Sequence, residues 1–181
     1  MPRAPNASDG TRHGPMNART DLATEVLRPM TVASLDGVMA LEEAVYPFPW
    51  TRGNFLDSLA AGYVAWTLNR LEGELVGYCV AMFGADEMHL LNITVAPPWR
   101  RRGHARRLLD ELVSVCRQRA ADRLWLEVRE SNQNAREMYG RLGFATAGIR
   151  RGYYPAPRGT REDALVMTLD LRAWPRRDAL V

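Results

Sequence analysis

The chain contains no lysine, and all 24 of its Lys/Arg residues are arginine. That excludes a GxxxxGK(S/T) phosphate loop, whose lysine reaches the terminal phosphates of a nucleotide. It equally excludes Schiff-base catalysis, which needs a lysine amine. The dinucleotide fingerprint GxGxxG is missing too. Cysteine is scarce: only Cys79 and Cys116 occur, and neither lies in a CxxC pair or other metal-ligand spacing. Both sit within apolar patterns and are expected to be buried, reduced thiols. His89 and His104 stand apart from any Cys, Asp or Glu constellation, so no metal is expected. No apolar run is long enough to span a membrane, and the N-terminus lacks the apolar segment of a secretion signal. A cytoplasmic protein is the expectation.

What is present suits one folded domain: 181 residues, 46% hydrophobic and 25% charged. The net charge of +3 fits a solvated arginine-rich surface as well as an anionic ligand. Residues 1–24 are rich in Pro, Gly, Ser and Asn with little apolar content, and are expected to be disordered. The domain is expected over 25–172, with 173–181 a loose basic tail.

The chain is organised around Leu90–Leu112. Leu91, Ile93 and Val95 alternate with Leu90, Asn92 and Thr94, the period of a strand. Pro97 and Pro98 end it, having no N–H for a ladder. Ala105, Leu108, Leu109, Leu112, Val113 and Cys116 then form the apolar stripe of a helix. Between them lies Arg100-Arg101-Arg102-Gly103-His104-Ala105. A helix N-terminus offers unpaired N–H groups to anions, and a glycine lets a phosphate approach the backbone. With three arginines alongside, the segment predicts a pyrophosphate cradle.

In chain order, the patterns predict a strand over Glu25–Met30 and a helix over about Val32–Val45, with Thr31 as its cap. Tyr46-Pro47-Phe48-Pro49-Trp50 is a stiff aromatic loop, either a lid over the core or a substrate contact. Thr51 caps a short helix ending near Gly62. Tyr63–Asn69 and Leu75–Phe83 form a hairpin through Glu72-Gly73-Glu74, and Asp86–Val95 is the next strand. After the cradle helix come a strand over Arg123–Glu130, a helix from Asn132 to Gly143, and strands over Phe144–Tyr153 and Asp163–Leu171. The strand–helix–strand unit at the centre implies a parallel pair.

Arg100, Gly103 and Ala105 match motif A of the GNAT N-acetyltransferases, Gln/Arg-x-x-Gly-x-Gly/Ala. The resemblance covers roughly Glu25–Leu171 and is closest to the ribosomal-protein-alanine N-acetyltransferases, the RimI type. It rests on Tyr46–Trp50, Leu91–Val95, Leu124–Arg129, Ser131-Asn132, Tyr139 with Leu142-Gly143-Phe144, Arg150–Pro155, and Arg161–Asp163. It implies an α/β GNAT fold, with a mixed central sheet, splayed parallel strands and flanking helices. Ala105 replaces the second glycine of the cradle, an accepted alternative in the family.

The implied reaction is direct acetyl transfer from acetyl-CoA to the N-terminal alanine of a small-subunit ribosomal protein, through a ternary complex. Glu127 matches the family's general base, on a strand where Leu124, Leu126 and Val128 alternate with Trp125, Glu127 and Arg129; a salt-bridged surface acid is the alternative. Tyr139 matches the general acid for the coenzyme A thiolate, and a core tyrosine is the competing view. The implied cofactor contacts are Ile93, Thr94 and Val95 along the pantetheine, and Arg101, Arg102, Gly103, His104, Ala105 and Arg106 around the pyrophosphate. Asn132 matches a further contact, and is equally suited to cap a helix.

Phe48, Trp50, Tyr153 and Tyr154 are candidates for the walls of an acceptor groove or for core packing. Glu42, Glu43 and Asp163 are weaker candidates for reading a basic second residue. No membrane and no direct nucleic-acid binding are expected. A broader N-terminal or small-amine acetyltransferase, and a silent acyl-CoA-binding module, are the alternatives.

Overall fold

The computed structural model describes residues 25–174. The segment 1–24, and the tail from 175 onward, lie outside the described residues. In order, the elements are β1 (Glu25–Pro29), α1 (Leu35–Val45), α2 (Arg52–Ala60), β2 (Val64–Arg70), β3 (Leu75–Phe83), β4 (Glu87–Val95), α3 (His104–Gln118), β5 (Arg123–Arg129), α4 (Gln133–Arg141), β6 (Ala145–Pro155) and β7 (Arg161–Asp170). Their order in the sheet is β1-β2-β3-β4-β5-β7-β6. Among the described residues only β4 and β5 pair in parallel, and every other pairing is antiparallel.

The elements lie where their patterns placed them, with local differences. The first helix opens as a 3-10 turn over Val32–Ser34. There the Thr31 N–H donates to Ser34 Oγ at 3.0 Å. Thr51 caps α2 as expected, its Oγ1 accepting from the Asn54 N–H at 3.2 Å. Order continues past Arg172: Leu171–Ala173 form a 3-10 turn, and Trp174 is buried with its Nε1 donating to Asp110 Oδ1 at 3.0 Å.

Two clusters of side chains sandwich the sheet. On one face α3 buries Leu108, Leu109, Leu112, Val113 and Cys116 against Leu90, Leu124, Leu126 and Leu169. Each such leucine contributes roughly 2 kcal/mol by leaving water. On the other face α1 and α2 bury Leu35, Val38 and Phe55 against Tyr78 and Val80. Cys79 and Cys116 are free and buried, and burial pushes their thiols up to about 12 and about 11.

The alternation in β4 is broken. Ala81 pairs with Leu90 but Val80 with Asn92, so Leu91 is an extra residue in a bulge. Leu91 packs with α1 and α2 while Ile93 packs on the α3 side. A bulge bends its strand and increases the local twist. Pairing with β5 accordingly runs only from Glu87↔Arg123 to Leu90↔Leu126. Beyond that point the two strands diverge into a wedge.

Candidate active site

The wedge has one polar backbone lip. The Ala96 N–H donates to Val76 O at 2.9 Å, and Thr94 opposes Tyr78 two residues earlier. Antiparallel pairs alternate, so Thr94 also faces β3, whereas Ile93 and Val95 turn their N–H and C=O groups away from it. Those groups point toward β5, where no ladder partner remains. Arg100 Nε donates to the Val95 carbonyl at 3.0 Å. The Thr94 backbone is therefore spent on β3, contrary to the expectation that it lines the pantetheine, and the free backbone edge is that of Ile93 and Val95. Gly77 makes this geometry possible: a Cβ there would stand 2.5 Å from the Thr94 carbonyl oxygen.

At the wide end, Gly103 takes φ 90 as the N-cap of α3, and Arg101 just before it has φ 62. The first intrahelical bond is from the Arg107 N–H to Gly103 O, 3.0 Å. The amides of Ala105 and Arg106 precede it and have no helical acceptor. Nothing lies within 4 Å of where a Gly103 Cβ would be, so an anion has room against the backbone. Arg101 is exposed, and the Arg102 guanidinium lies 5.2 Å from the Trp99 ring centroid. Arg106 leans back along the helix, 5.3 Å from the Trp174 ring. The His104 side chain turns inward, its Nδ1 3.1 Å from Glu25 Oε2 in a fully buried pair. Arg107 donates to the Glu25 carbonyl at 2.9 Å. The cradle helix is thus tied to β1.

Glu127, on β5, projects from the face it shares with Trp125 and Arg129, away from buried Leu126 and Val128. Arg150 Nη1 lies 3.2 Å from Glu127 Oε1. Tyr154 OH donates to the Glu127 carbonyl at 3.0 Å. The Tyr153 ring meets the Tyr154 ring edge-on at 5.0 Å, and Arg129 lies over Tyr154 at 4.4 Å. Glu162 holds Arg129 Nη1 at 3.0 Å and the Ser131 N–H at 2.7 Å. Burial opposes ionisation of Glu162, yet those donors keep its carboxyl below the usual range.

Tyr139, on α4, is buried and meets Phe144 edge-on at 5.3 Å. Burial raises its phenol well above the usual range, with the neighbouring phenols of Tyr46 and Tyr154 adding to the effect. It therefore carries its proton at neutral pH. Asn132 caps α4, its Oδ1 accepting from the Ala135 N–H at 3.2 Å. His89 stacks on Trp125 and pairs with Glu87 Oε1 at 2.7 Å. Phe48 and Tyr153 are each 40% exposed. Trp50 instead packs on Phe55, with ring centroids 5.3 Å apart.

Some residues of the site were given no role by the sequence: Tyr46, Arg150 and Glu162, although each lies in a segment that carries the family resemblance, and Tyr78, which lies in none of those segments. Glu42 differs from its expected role as an electrostatic reader. It is 2% exposed and accepts from Tyr78 OH, from the Trp50 N–H at 2.9 Å and from Asn92 Nδ2 at 3.3 Å. Its place in the apolar stripe with Leu35 and Val38 was the sign of burial. Asp163 is likewise spent locally, accepting the Gly152 N–H at 2.7 Å. Among the described residues no group of three His, Cys, Asp or Glu side chains could hold a metal. No helix among them is long and apolar enough to cross a membrane.

A splayed parallel pair ahead of a glycine-capped, arginine-flanked helix suits a thioester bearing a pyrophosphate. The profile of the Acetyltransferase (GNAT) family matches residues 35–144. The chain belongs to the GNAT acetyltransferase family. Within that family it is 35% identical over 142 residues to the [Ribosomal protein bS18]-alanine N-acetyltransferase of Escherichia coli K12, covering 78% of this chain and 95% of that one. The Haemophilus ducreyi protein of the same name is 34% identical over 131 residues, 72% of this chain and 90% of its own. The crystal structure of the Escherichia coli ribosomal-protein-S18-alanine N-acetyltransferase superposes with a TM-score of 0.74 at 32% identity, covering 87% of this chain and 99% of that one. The GNAT fold is shared more widely: Chaetomium thermophilum Naa20, solved with a bisubstrate analogue, gives a TM-score of 0.72 at 21% identity.

Proposed function

We propose that this chain acetylates the N-terminal α-amine of a small-subunit ribosomal protein beginning with alanine, with acetyl-CoA as donor, in the cytoplasm. The observation that carries the reading is the wedge itself, with a carboxylate on one lip, unpaired β4 amides on the other, and a protonated phenol nearby. Similarity to the bS18-alanine enzymes over most of the chain supports the acceptor.

In this reading the α3 amides, with Arg101 and Arg102, hold the pyrophosphate. The backbone of Ile93 and Val95 receives the pantetheine arm as an added strand. Acetyl-CoA supplies a thioester carbonyl at the wedge. Glu127 takes a proton from the acceptor ammonium, whose ordinary pKa of about 8 asks little of a base. The β4 amide donors stabilise the oxyanion that develops, and Tyr139 returns a proton to the departing sulfur. Tyr153 and Tyr154 flank the entrance for the peptide.

The test is mass spectrometry of a peptide beginning Ala-Arg after incubation with the chain and acetyl-CoA, beside a peptide with a blocked N-terminus and a free internal lysine. Acetyl on the free α-amine alone is the expected result. Transfer to the lysine, or none to either peptide, overturns the acceptor assignment; in the latter case a silent acyl-CoA binder is the reading that survives.

A further inference from the structure

The reaction above leaves two buried carboxylates unused, and Glu25 is answered by His104 and Arg107. Glu42 is 2% exposed, and among the described residues no arginine or histidine forms an ion pair with it. Its three hydrogen-bond partners, Tyr78 OH, the Trp50 N–H and Asn92 Nδ2, are all donors. That set suits a carboxylate, which accepts only. A buried charge without a cation is expensive, so its retention here needs a reason.

Two further hydroxyls lead from Glu42 to the wedge. Thr94 Oγ1 donates to Tyr78 OH at 3.1 Å, and Tyr46 OH lies 2.9 Å from Thr94 Oγ1. Each hydroxyl has one proton to give. Tyr78 gives its own to Glu42, Thr94 gives its own to Tyr78 at 3.1 Å in preference to Asn92 Oδ1 at 3.4 Å, and Tyr46 gives its own to Thr94 at 2.9 Å in preference to the Ile93 carbonyl at 3.4 Å. Asn92 flanks the run, its Nδ2 donating to Glu42 Oε1 at 3.3 Å and its Oδ1 offering Thr94 a longer, alternative acceptor. All three protons then point toward the carboxylate, and the Tyr46 oxygen keeps a lone pair for a donor in the wedge. That oxygen is 3.4 Å from the Ile93 carbonyl, which faces the wedge. It is also within electrostatic reach of Tyr139, and of Arg100 and Arg129 on the opposite lips.

Proton accounting supplies the reason. The acceptor nitrogen enters as an ammonium with three protons and leaves as an amide with one. Glu127 takes the first proton, and the second is released as the N–C bond forms. Tyr139 gives a proton to the sulfur as the C–S bond breaks, and is recharged afterwards. Until then, two protons have left nitrogen and two acceptors are needed.

We propose that Tyr46, Thr94 and Tyr78 relay the second proton from the acceptor nitrogen to Glu42. Tyr46 accepts it while passing its own proton to Thr94, Thr94 passes one to Tyr78, and Tyr78 protonates Glu42. One ammonium charge and two carboxylate charges become a neutral amide, two neutral acids and the Tyr139 phenolate, so charge is conserved. Return of one proton to Tyr139 and release of the other to water resets the site. The relay rests on the acceptor being an amine, as in the proposed function.

The test measures turnover on the Ala-Arg peptide with the full chain. Thr94→Val keeps the side-chain shape but removes the link, and is expected to lower kcat at least about 10-fold. Acetyl-CoA affinity stays within about twofold. Thr94→Ser recovers most of the loss, and Tyr46→Phe combined with Thr94→Val is no worse than either alone. Raising the pH to about 9.5, where bulk solvent already removes the first proton, rescues Glu127→Gln but not Thr94→Val. Wild-type turnover in Thr94→Val, equal loss in Thr94→Ser, or rescue of Thr94→Val at high pH overturns the relay while leaving the enzyme's function standing. A wild-type chain that transfers nothing to the peptide overturns both.

Discussion

Arg150 Nη1 stands 3.2 Å from Glu127 Oε1, with the arginine side chain 54% exposed and the carboxylate 14%. The pair is open enough to exchange partners. An entering ammonium and the guanidinium compete for the same oxygen, and a half-exposed pair is worth only about 0–1 kcal/mol to folding. Arg150→Gln is therefore expected to leave the melting temperature nearly unchanged and to lower the acceptor KM a few-fold at low salt. Steady-state kinetics at two ionic strengths checks this; a raised KM would mean that Arg150 grips the peptide instead.

Glu127→Gln removes the proposed proton acceptor without changing side-chain size. Turnover is expected to drop about 100-fold while acetyl-CoA affinity, which the proposed function assigns to the α3 cradle, is nearly intact. Tyr139→Phe keeps the buried ring and its edge-on contact with Phe144, so it too should impair turnover more than cofactor binding. Calorimetric titration with coenzyme A alongside initial rates separates the two effects. Wild-type rates in both variants would remove the acid–base pair from the mechanism.

Most of the fold was legible because its signals are local. The stripe from Leu108 to Cys116, the Thr51 cap and the glycine in the Glu72–Glu74 turn each act within a few residues. The bulge at Leu91 was not, because it depends on how β3 and β4 register, and the pattern Leu-Leu-Asn-Ile reads equally as plain alternation. The site divides in the same way. Glu127, Tyr139 and the Arg100–Ala105 cradle belong to motifs with an implied role, whereas Tyr46 and Arg150, though within motifs, and Tyr78, outside them, take their contacts from partners about 16 to 48 residues distant in sequence. His104 occupied a cradle slot, but only the folded chain shows its ring paired with Glu25.

Alkaline pH should unfold the domain through its phenols. Burial raises Tyr46, Tyr78, Tyr139 and Tyr154 above the ordinary value, and in the unfolded chain they ionise near pH 10. Below that pH both states keep these protons, and the stabilisation is fully present. Above it the unfolded chain releases protons that the folded one retains, so stability falls as pH rises from about 10 toward the folded-state values. Tyrosinate absorbance for these residues should appear together with loss of circular dichroism. Ionisation of all six tyrosines before any unfolding would contradict the burial assigned to these four.

Gly77→Ala tests whether the close strand approach maintains the wedge. An added Cβ would lie 2.5 Å from the Thr94 carbonyl oxygen and 3.3 Å from Val95 Cα, both backbone atoms that no rotamer change can move. The clash can be relieved only by displacing β4 at the edge that carries Ile93 and Val95. Overpacking of this kind costs about 1–3 kcal/mol, and the displaced strand narrows the wedge on its β5 side. Gly77→Ala is expected to lower the melting temperature by several degrees and to weaken coenzyme A binding. Gly53→Ala, exposed in α2 with its nearest contact 3.5 Å away, serves as the control and should not weaken either. If both variants bind coenzyme A like the wild type, the spacing of β3 and β4 does not govern the cofactor groove.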